Sequence, residues 1–282
     1  MEILSVQNLC KRYDTFALKD VSFRLESGYI MGFIGRNGAG KTTTLKTMLN
    51  LVHADGGKVS LFGKDFFQNE LECKQRVAFM MGGVSYYPKN KVRTISSVVK
   101  RFYSEWDDKV FDGYLKRFDI NPNKKVDELS AGMKVKFALA LALSHNAKLL
   151  ILDEPTSGLD PVSRDDLLEL FQELIEDGER SILFSTQITS DLDKCADFIT
   201  YIRNGEVIAS AAKDDLLAAH KVVRGTNEQF TNAVIQKLIG YKKNTFGFTG
   251  LAKTADVSAL KLEAAPADIE SIMIYYEREN RE

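Results

Sequence analysis

One stretch constrains this chain more than any other: Gly35-Arg-Asn-Gly-Ala-Gly-Lys41-Thr42 fits the pattern GxxxxGK[ST] without deviation. It stands between Tyr29–Ile34, a nearly continuous apolar run of the kind buried on both faces of a sheet, and Lys41–Leu51, which reads as a helix. Glycines let such a loop turn tightly enough to aim consecutive backbone N–H groups inward. The positive end of the following helix adds to that field. The pattern predicts a cradle for the phosphates of ATP, built from Gly35, Arg36, Asn37, Gly38, Ala39, Gly40, Lys41, Thr42 and Thr43. Lys41 can reach the β- and γ-phosphates, and the Thr42 hydroxyl can coordinate Mg²⁺.

A second half is needed for chemistry, and Leu149-Leu-Ile-Leu152-Asp153-Glu154 supplies it. Four apolar residues bury a strand whose end presents two carboxylates. Alone, this is as readily a strand ending in a solvated turn. Paired with the upstream loop, it predicts Asp153 holding Mg²⁺ through water and Glu154 polarising the attacking water.

Around these motifs the periodicity alternates between strand and helix. Ile3–Leu9 and Val21–Leu25 read as half-buried strands, and Val77–Met81, Leu149–Leu152, Ser181–Phe184, Phe198–Ile202 and Val207–Ser210 as further strands. Arg164–Asp177 reads as an amphipathic helix. From Thr94 to about Asp127 the spacing turns helical and aromatic, with Phe102, Tyr103, Trp106, Phe111, Tyr114 and Phe118; most of the six are expected in the core. The predicted class is α/β: a phosphate-loop NTPase core with a mostly parallel sheet and an antiparallel β subdomain, a helical insertion, and a small C-terminal extension. In that extension Lys221–Leu262 is polar with short strand-like pieces. Ala267–Tyr276 reads as a closing helix whose Ile269/Ile272/Met273/Tyr276 stripe is expected to pack.

Composition narrows the partners. A net charge of −1 gives no electrostatic reason to expect nucleic acid. Cys10, Cys73 and Cys195 lie far apart and read as reduced thiols, and His53, His145 and His220 are too scattered for zinc. The N-terminus reads as a strand rather than a signal peptide, and no run approaches the ~18 apolar residues a bilayer requires. Action at a membrane is therefore expected through docking.

The order of segments resembles the ABC ATPase family over about residues 1–210. Leu129-Ser130-Ala131-Gly132-Met133 looks like the family's signature loop, with Ser130 a good N-cap and Gly132 allowing close approach of an anion. Ser157-Gly-Leu-Asp160 resembles the D-loop that crosses a dimer interface, and Tyr13 matches the aromatic that stacks on adenine. The resemblance implies an ATPase domain over 1–210 with a helical subdomain at about 83–145, and an accessory extension over 211–282. It also implies a second ABC ATPase subunit as partner, so that the signature loop of one caps the ATP of the other. Polytopic membrane subunits would place the chain at the cytoplasmic face of the membrane. Phe102–Asp107 with the Leu-Ser-x-Gly-Met loop is similar to small bacterial ATPases associated with export of peptides or antibiotics.

Two polar residues of the family pattern are missing. Gly82 stands where the family has a glutamine, and Gln187 where it has a histidine facing the γ-phosphate. Gln187 can still donate a hydrogen bond but cannot carry charge, so slow hydrolysis is expected, with Glu154, Lys41 and Gln187 as catalytic groups. The alternatives are a soluble ABC ATPase acting on ribosomes or chromosomes, and an ATP-sensing regulatory module; the charged linkers and long heptad arrays of the former are not present.

Overall fold

The computed structural model describes residues 1–81 and 87–278. The chain opens with the hairpin β1 (Glu2–Arg12) and β2 (Ala17–Glu26), then passes through β3 (Ile30–Ile34) into α1 (Lys41–Met48). It returns along β4 (Gly56–Leu61) and β5 (Lys64–Asp65), and α2 (Glu70–Gln75) leads to β6 (Val77–Met80). Helices α3 (Val92–Val99), α4 (Asp108–Arg117) and α5 (Ala131–Ser144) form the insertion before β7 (Leu149–Asp153). The core closes with α6 (Pro161–Ile175), β8 (Ser181–Thr186), α7 (Thr189–Cys195), β9 (Phe198–Arg203) and β10 (Glu206–Ala212). Beyond it run α8 (Lys213–Ala218), β11 (His220–Gly225), α9 (Asn232–Ile235), β12 (Leu238–Asn244), β13 (Gly247–Lys253), α10 (Thr254–Leu260), β14 (Glu263–Pro266) and α11 (Ile269–Tyr276).

The α/β expectation is borne out. The central sheet runs β10-β9-β3-β8-β7-β6, with every neighbouring pair parallel except the β10 edge. Every residue of β3, β7 and β8 is buried, which is why each is built on a continuous apolar run rather than an alternating one, polar residues standing only at the ends of β7 and β8. Parallel order has one decisive consequence. The C-terminal ends of β3, β8 and β7 emerge side by side, with Ile34 opposite Thr186 and Asp153 opposite Ser185. The phosphate loop and the carboxylate pair, far apart in sequence, meet at one sheet edge.

A four-stranded antiparallel sheet, β2-β1-β4-β5, covers one side. In β2 the inward residues Val21, Phe23 and Leu25 alternate with exposed ones. Sequence periodicity missed β4 and β5, because Gly56-Gly-Lys58 dilutes an alternation that rests on Val59 and Leu61 alone. Helix α1 stops at Met48 rather than Leu51: Asn50 turns left-handed (φ 55°), and the Leu51 N–H folds back to the Lys46 carbonyl at 2.9 Å. Helix α6 starts at Pro161 rather than Arg164, because Asp160 caps the Val162 and Ser163 N–H groups and proline suits the first turn.

The insertion sorts its aromatics as expected. Phe111 and Phe118 are buried, Trp106 and Tyr114 pack on the core, Tyr103 stacks on His145, and Phe102 remains 69% exposed. The polar stretch after Lys221 forms the antiparallel sheet β12-β13-β11-β14. One face closes a small cluster of Val223, Ala252 and Leu260. On the other, Leu251, Ile269, Ile272 and Tyr275 join the same cluster as Leu192, Ile199 and Tyr201 of the core. No helix of the described residues is long and apolar enough to cross a membrane.

Candidate functional site

The phosphate loop lies back against β9. A Cβ on Gly35 would come within 2.4 Å of the Ile202 carbonyl, so only glycine fits there, and Gly40 turns at φ +113° to start α1. Lys41 is 5% exposed, and its Nζ donates to the Gly35 carbonyl at 2.7 Å. The same ammonium lies 3.1 Å from Glu154 Oε1. Burial of this charge is tolerable because it is paired on both sides.

The two carboxylates have different surroundings. Asp153 is 4% exposed and accepts hydrogen bonds from Thr42 Oγ1 at 2.7 Å and Ser185 Oγ at 2.6 Å. Ser185 Oγ also accepts from the Glu154 N–H at 3.0 Å, so one hydroxyl ties both acidic residues to β8. Glu154 adopts a left-handed backbone (φ 50°), a conformation costing about 1–3 kcal/mol for a residue with a Cβ. Its Oε2 is shielded from solvent yet has no hydrogen-bond partner among the described residues. An orphaned carboxylate oxygen held in a strained turn is suited to accept a proton from a water molecule.

These groups open onto a cleft of 660 Å³, lined by Tyr13, Thr15, Phe16, Arg36, Asn37, Gly38, Gly40, Lys41, Thr42, Thr43, Glu154, Ser157 and Gln187. Tyr13 is 45% exposed at the mouth, its turn closed by a 2.8 Å bond from its N–H to the Phe16 carbonyl. Gly35, Ala39 and Asp153 do not line this cleft: Gly35 is joined to it through Lys41, and Asp153 through Thr42, while Asp153 lines an adjoining hollow with Glu154 and Ser157. Thr42 and Asp153 offer hard oxygen donors side by side, the set Mg²⁺ takes. Residue 82 lies outside the described residues, so the position of Gly82 is not part of this geometry.

Three further predicted residues stand away from the cleft. Ser130 caps α5 through the Met133 N–H at 3.2 Å and faces solvent. Gly132 sits against Ser163, where an added Cβ would meet Ser163 Cβ at 3.4 Å. Asp160 is exposed, and the Ser163 hydroxyl and amide hold its carboxyl below the ordinary range. Conversely, sequence reading missed Thr15, Phe16 and Ser185. Only Ser185 left a signal: with Thr186 it ends the apolar run Ile182–Phe184 of β8 in polar residues.

The family model described as "ABC transporter" matches residues 18–157. The chain is 30% identical over 215 residues to the ABC transporter ATP-binding protein YtrB of Bacillus subtilis, covering 76% of this chain and 73% of that protein. It is 30% identical to the bacitracin transport ATP-binding protein BcrA of Bacillus licheniformis (76% and 71% covered). It is 35% identical to the Nod factor export ATP-binding protein I of Burkholderia orbicola (76% and 72%). Among solved structures, an ATP-binding subunit of an ABC transporter superposes with a TM-score of 0.68 at 26% identity, covering 76% of this chain and 91% of that one.

Proposed function

Because this chain belongs to the ABC transporter family, whose ATP-binding domains bind and hydrolyse ATP, we propose that two such subunits close face to face around ATP to drive export through separate membrane subunits. One observation carries this reading: Ser130, Gly132 and Asp160 lie outside the cleft that gathers Lys41 and Glu154, so this subunit's own signature loop leaves a phosphate held there uncapped, as closure onto a second subunit's loop requires. Either a homodimer or a heterodimer satisfies that requirement.

In this reading Tyr13 stacks on the base, and the loop N–H groups with Lys41 hold the phosphates in line for attack. Glu154 takes the proton of the attacking water, and Gln187 donates a neutral hydrogen bond to the terminal phosphate. Thr42 and Asp153 would hold Mg²⁺, which when bound neutralises charge developing on the phosphate oxygens. Exposed Phe102 on the insertion supports docking onto a membrane subunit, placing the chain at the cytoplasmic face of the membrane. The bacitracin and Nod factor relatives favour export, with a peptide or antibiotic as cargo. A second reading, an ATP sensor that dimerises without useful turnover, draws on the neutral Gln187.

Phosphate release by the purified chain with Mg²⁺ and ATP separates these. Glu154→Gln is expected to lower the rate at least 100-fold and to accumulate an ATP-bound dimer in analytical ultracentrifugation, whereas Ser130→Arg prevents that dimer. Turnover per molecule that does not vary with protein concentration, and that survives Ser130→Arg, excludes the two-subunit site. Dimerisation with no release above the Glu154→Gln rate selects the sensor.

A further inference from the structure

Three segments flanking the cleft meet around a single buried residue. Asp191, on α7, is 1% exposed. Its Oδ2 accepts a hydrogen bond from Thr156 Oγ1 at 2.7 Å, and Arg164 Nη1 stands 3.6 Å from its Oδ1. The Asp191 N–H donates to the Ile188 carbonyl at 3.2 Å, and the Ile188 N–H in turn donates to Thr186 Oγ1 at 2.9 Å, tying the end of β8 to the same turn. Each partner belongs to a different working part. Thr156, itself 1% exposed, lies between Glu154 and the Ser157–Asp160 loop. Thr186 ends β8 and immediately precedes Gln187. Arg164 stands in the first turns of α6, the helix that Asp160 caps.

Stability alone does not account for this arrangement. A buried carboxylate is costly even when paired, and apolar residues of similar volume commonly stabilise a fold as well or better. Burial indeed pushes the Asp191 carboxyl above its ordinary range against the pull of Thr156 and Arg164. What the carboxylate provides and an apolar contact lacks is direction: the Thr156 hydroxyl is fixed in angle as well as distance, with the Arg164 guanidinium paired beside it.

We propose that Asp191 is a positioning residue that locks the Gln187 end of β8 to the Ser157–Asp160 loop, so that the group facing the terminal phosphate and the loop bordering the partner subunit move as one. The inference rests on the two-subunit reading and adds a route through which ATP in one cleft is felt across the seam. Gln187 has no charge with which to find the phosphate by itself, so its placement matters more. With the clamp intact, ATP drives dimer closure; without it, ATP still binds each monomer but closure is uncoupled from it.

The hydroxyl of Thr156 is the testable half, because Thr156→Val keeps the shape and removes the donor while Thr156→Ser restores it. Two measurements apply: ATP affinity of the monomer by titration calorimetry, and the protein concentration at which ATP drives half dimerisation, both in the Glu154→Gln background where turnover stops. Thr156→Val is expected to leave monomer affinity within twofold and to raise the dimerisation midpoint about tenfold, the effect of one lost buried hydrogen bond. Thr156→Ser is expected to return it to within threefold. In the Glu154-intact protein, kcat falls at least tenfold with KM nearly unchanged. An unchanged midpoint in Thr156→Val, or equal losses in Thr156→Val and Thr156→Ser, overturns the clamp. Failure of the unsubstituted Thr156 protein to dimerise with ATP overturns the two-subunit reading instead, so the two failures are distinguishable.

Discussion

Gln187 projects an amide into a cleft where a cation would do more. A hydrogen bond to a charged group is worth about 1.5–3 kcal/mol, and each 1.36 kcal/mol felt only in the transition state is about tenfold in rate. Replacing Gln187 with histidine is therefore expected to raise kcat about ten- to a hundredfold. The gain should be larger at pH 6.5 than at pH 8.5, since a free imidazole is half protonated near 6.5. Phosphate release at the two pH values measures this; no gain at either would show that another group already supplies the charge. The phosphate-loop residues were legible from sequence because a cradle of backbone N–H groups imposes glycines at fixed spacing. The left-handed backbone of Glu154 was not, because nothing in a glutamate side chain favours that conformation. That Ser130, Gly132 and Asp160 sit apart from the cleft followed only from the family resemblance, which gives them to a second subunit's ATP, because motif order by itself carries no distance.

At the scale of elements, the junction between the helical insertion and the sheet is built from polar contacts that periodicity does not register. Gln75, at the end of α2, donates its Nε2 to the Phe102 carbonyl at 2.8 Å and accepts the Ser104 N–H at 3.0 Å. Its own carbonyl lies 3.2 Å from His145 Nδ1, and the His145 ring stacks on Tyr103 with centroids 3.7 Å apart. Burial holds the His145 imidazole down at about 4, against 6.5 for a free one. The folded state thus keeps a neutral ring while the unfolded chain takes up a proton below 6.5. This contribution to stability is complete above pH 6.5 and is lost as pH falls toward 4, by about 3 kcal/mol in all. His145→Phe, which retains stacking without a titrating group, should flatten the melting temperature between pH 6.5 and 4; an unaltered acid slope would assign that loss to other groups. Fully buried strands and capped helices were legible here because burial and caps leave marks in residue type. Strands β4 and β5 left none, because only one or two of their side chains turn inward.

Over the whole molecule, the question is how residues beyond Ala212 relate to the ATP-binding core. Sequence marks them only as an accessory extension. The packing favours a cover that shares the core. Ile269, Ile272 and Tyr275 of α11 belong to one cluster with Leu192, Ile199 and Tyr201, and Asp268 caps the helix through the Ser271 N–H at 2.7 Å. Just past α11, Glu277 accepts from the Tyr201 hydroxyl at 3.0 Å and lies 3.5 Å from Arg36 of the phosphate loop. The Arg36 pair, with its guanidinium 58% exposed, adds little energy by itself, so apolar burial must carry the attachment. Ile272 is 2% exposed, and cutting such a side chain to alanine in a well-packed core costs about 2–5 kcal/mol. If the core is shared, that loss is felt by the entire chain: calorimetry of Ile272→Ala should show one transition shifted down, with ATP binding and the extension lost together. If instead the variant first loses a small transition while the cleft still binds ATP up to the original temperature, then the extension folds independently and the sheet around β9 does not depend on α11 for its cover.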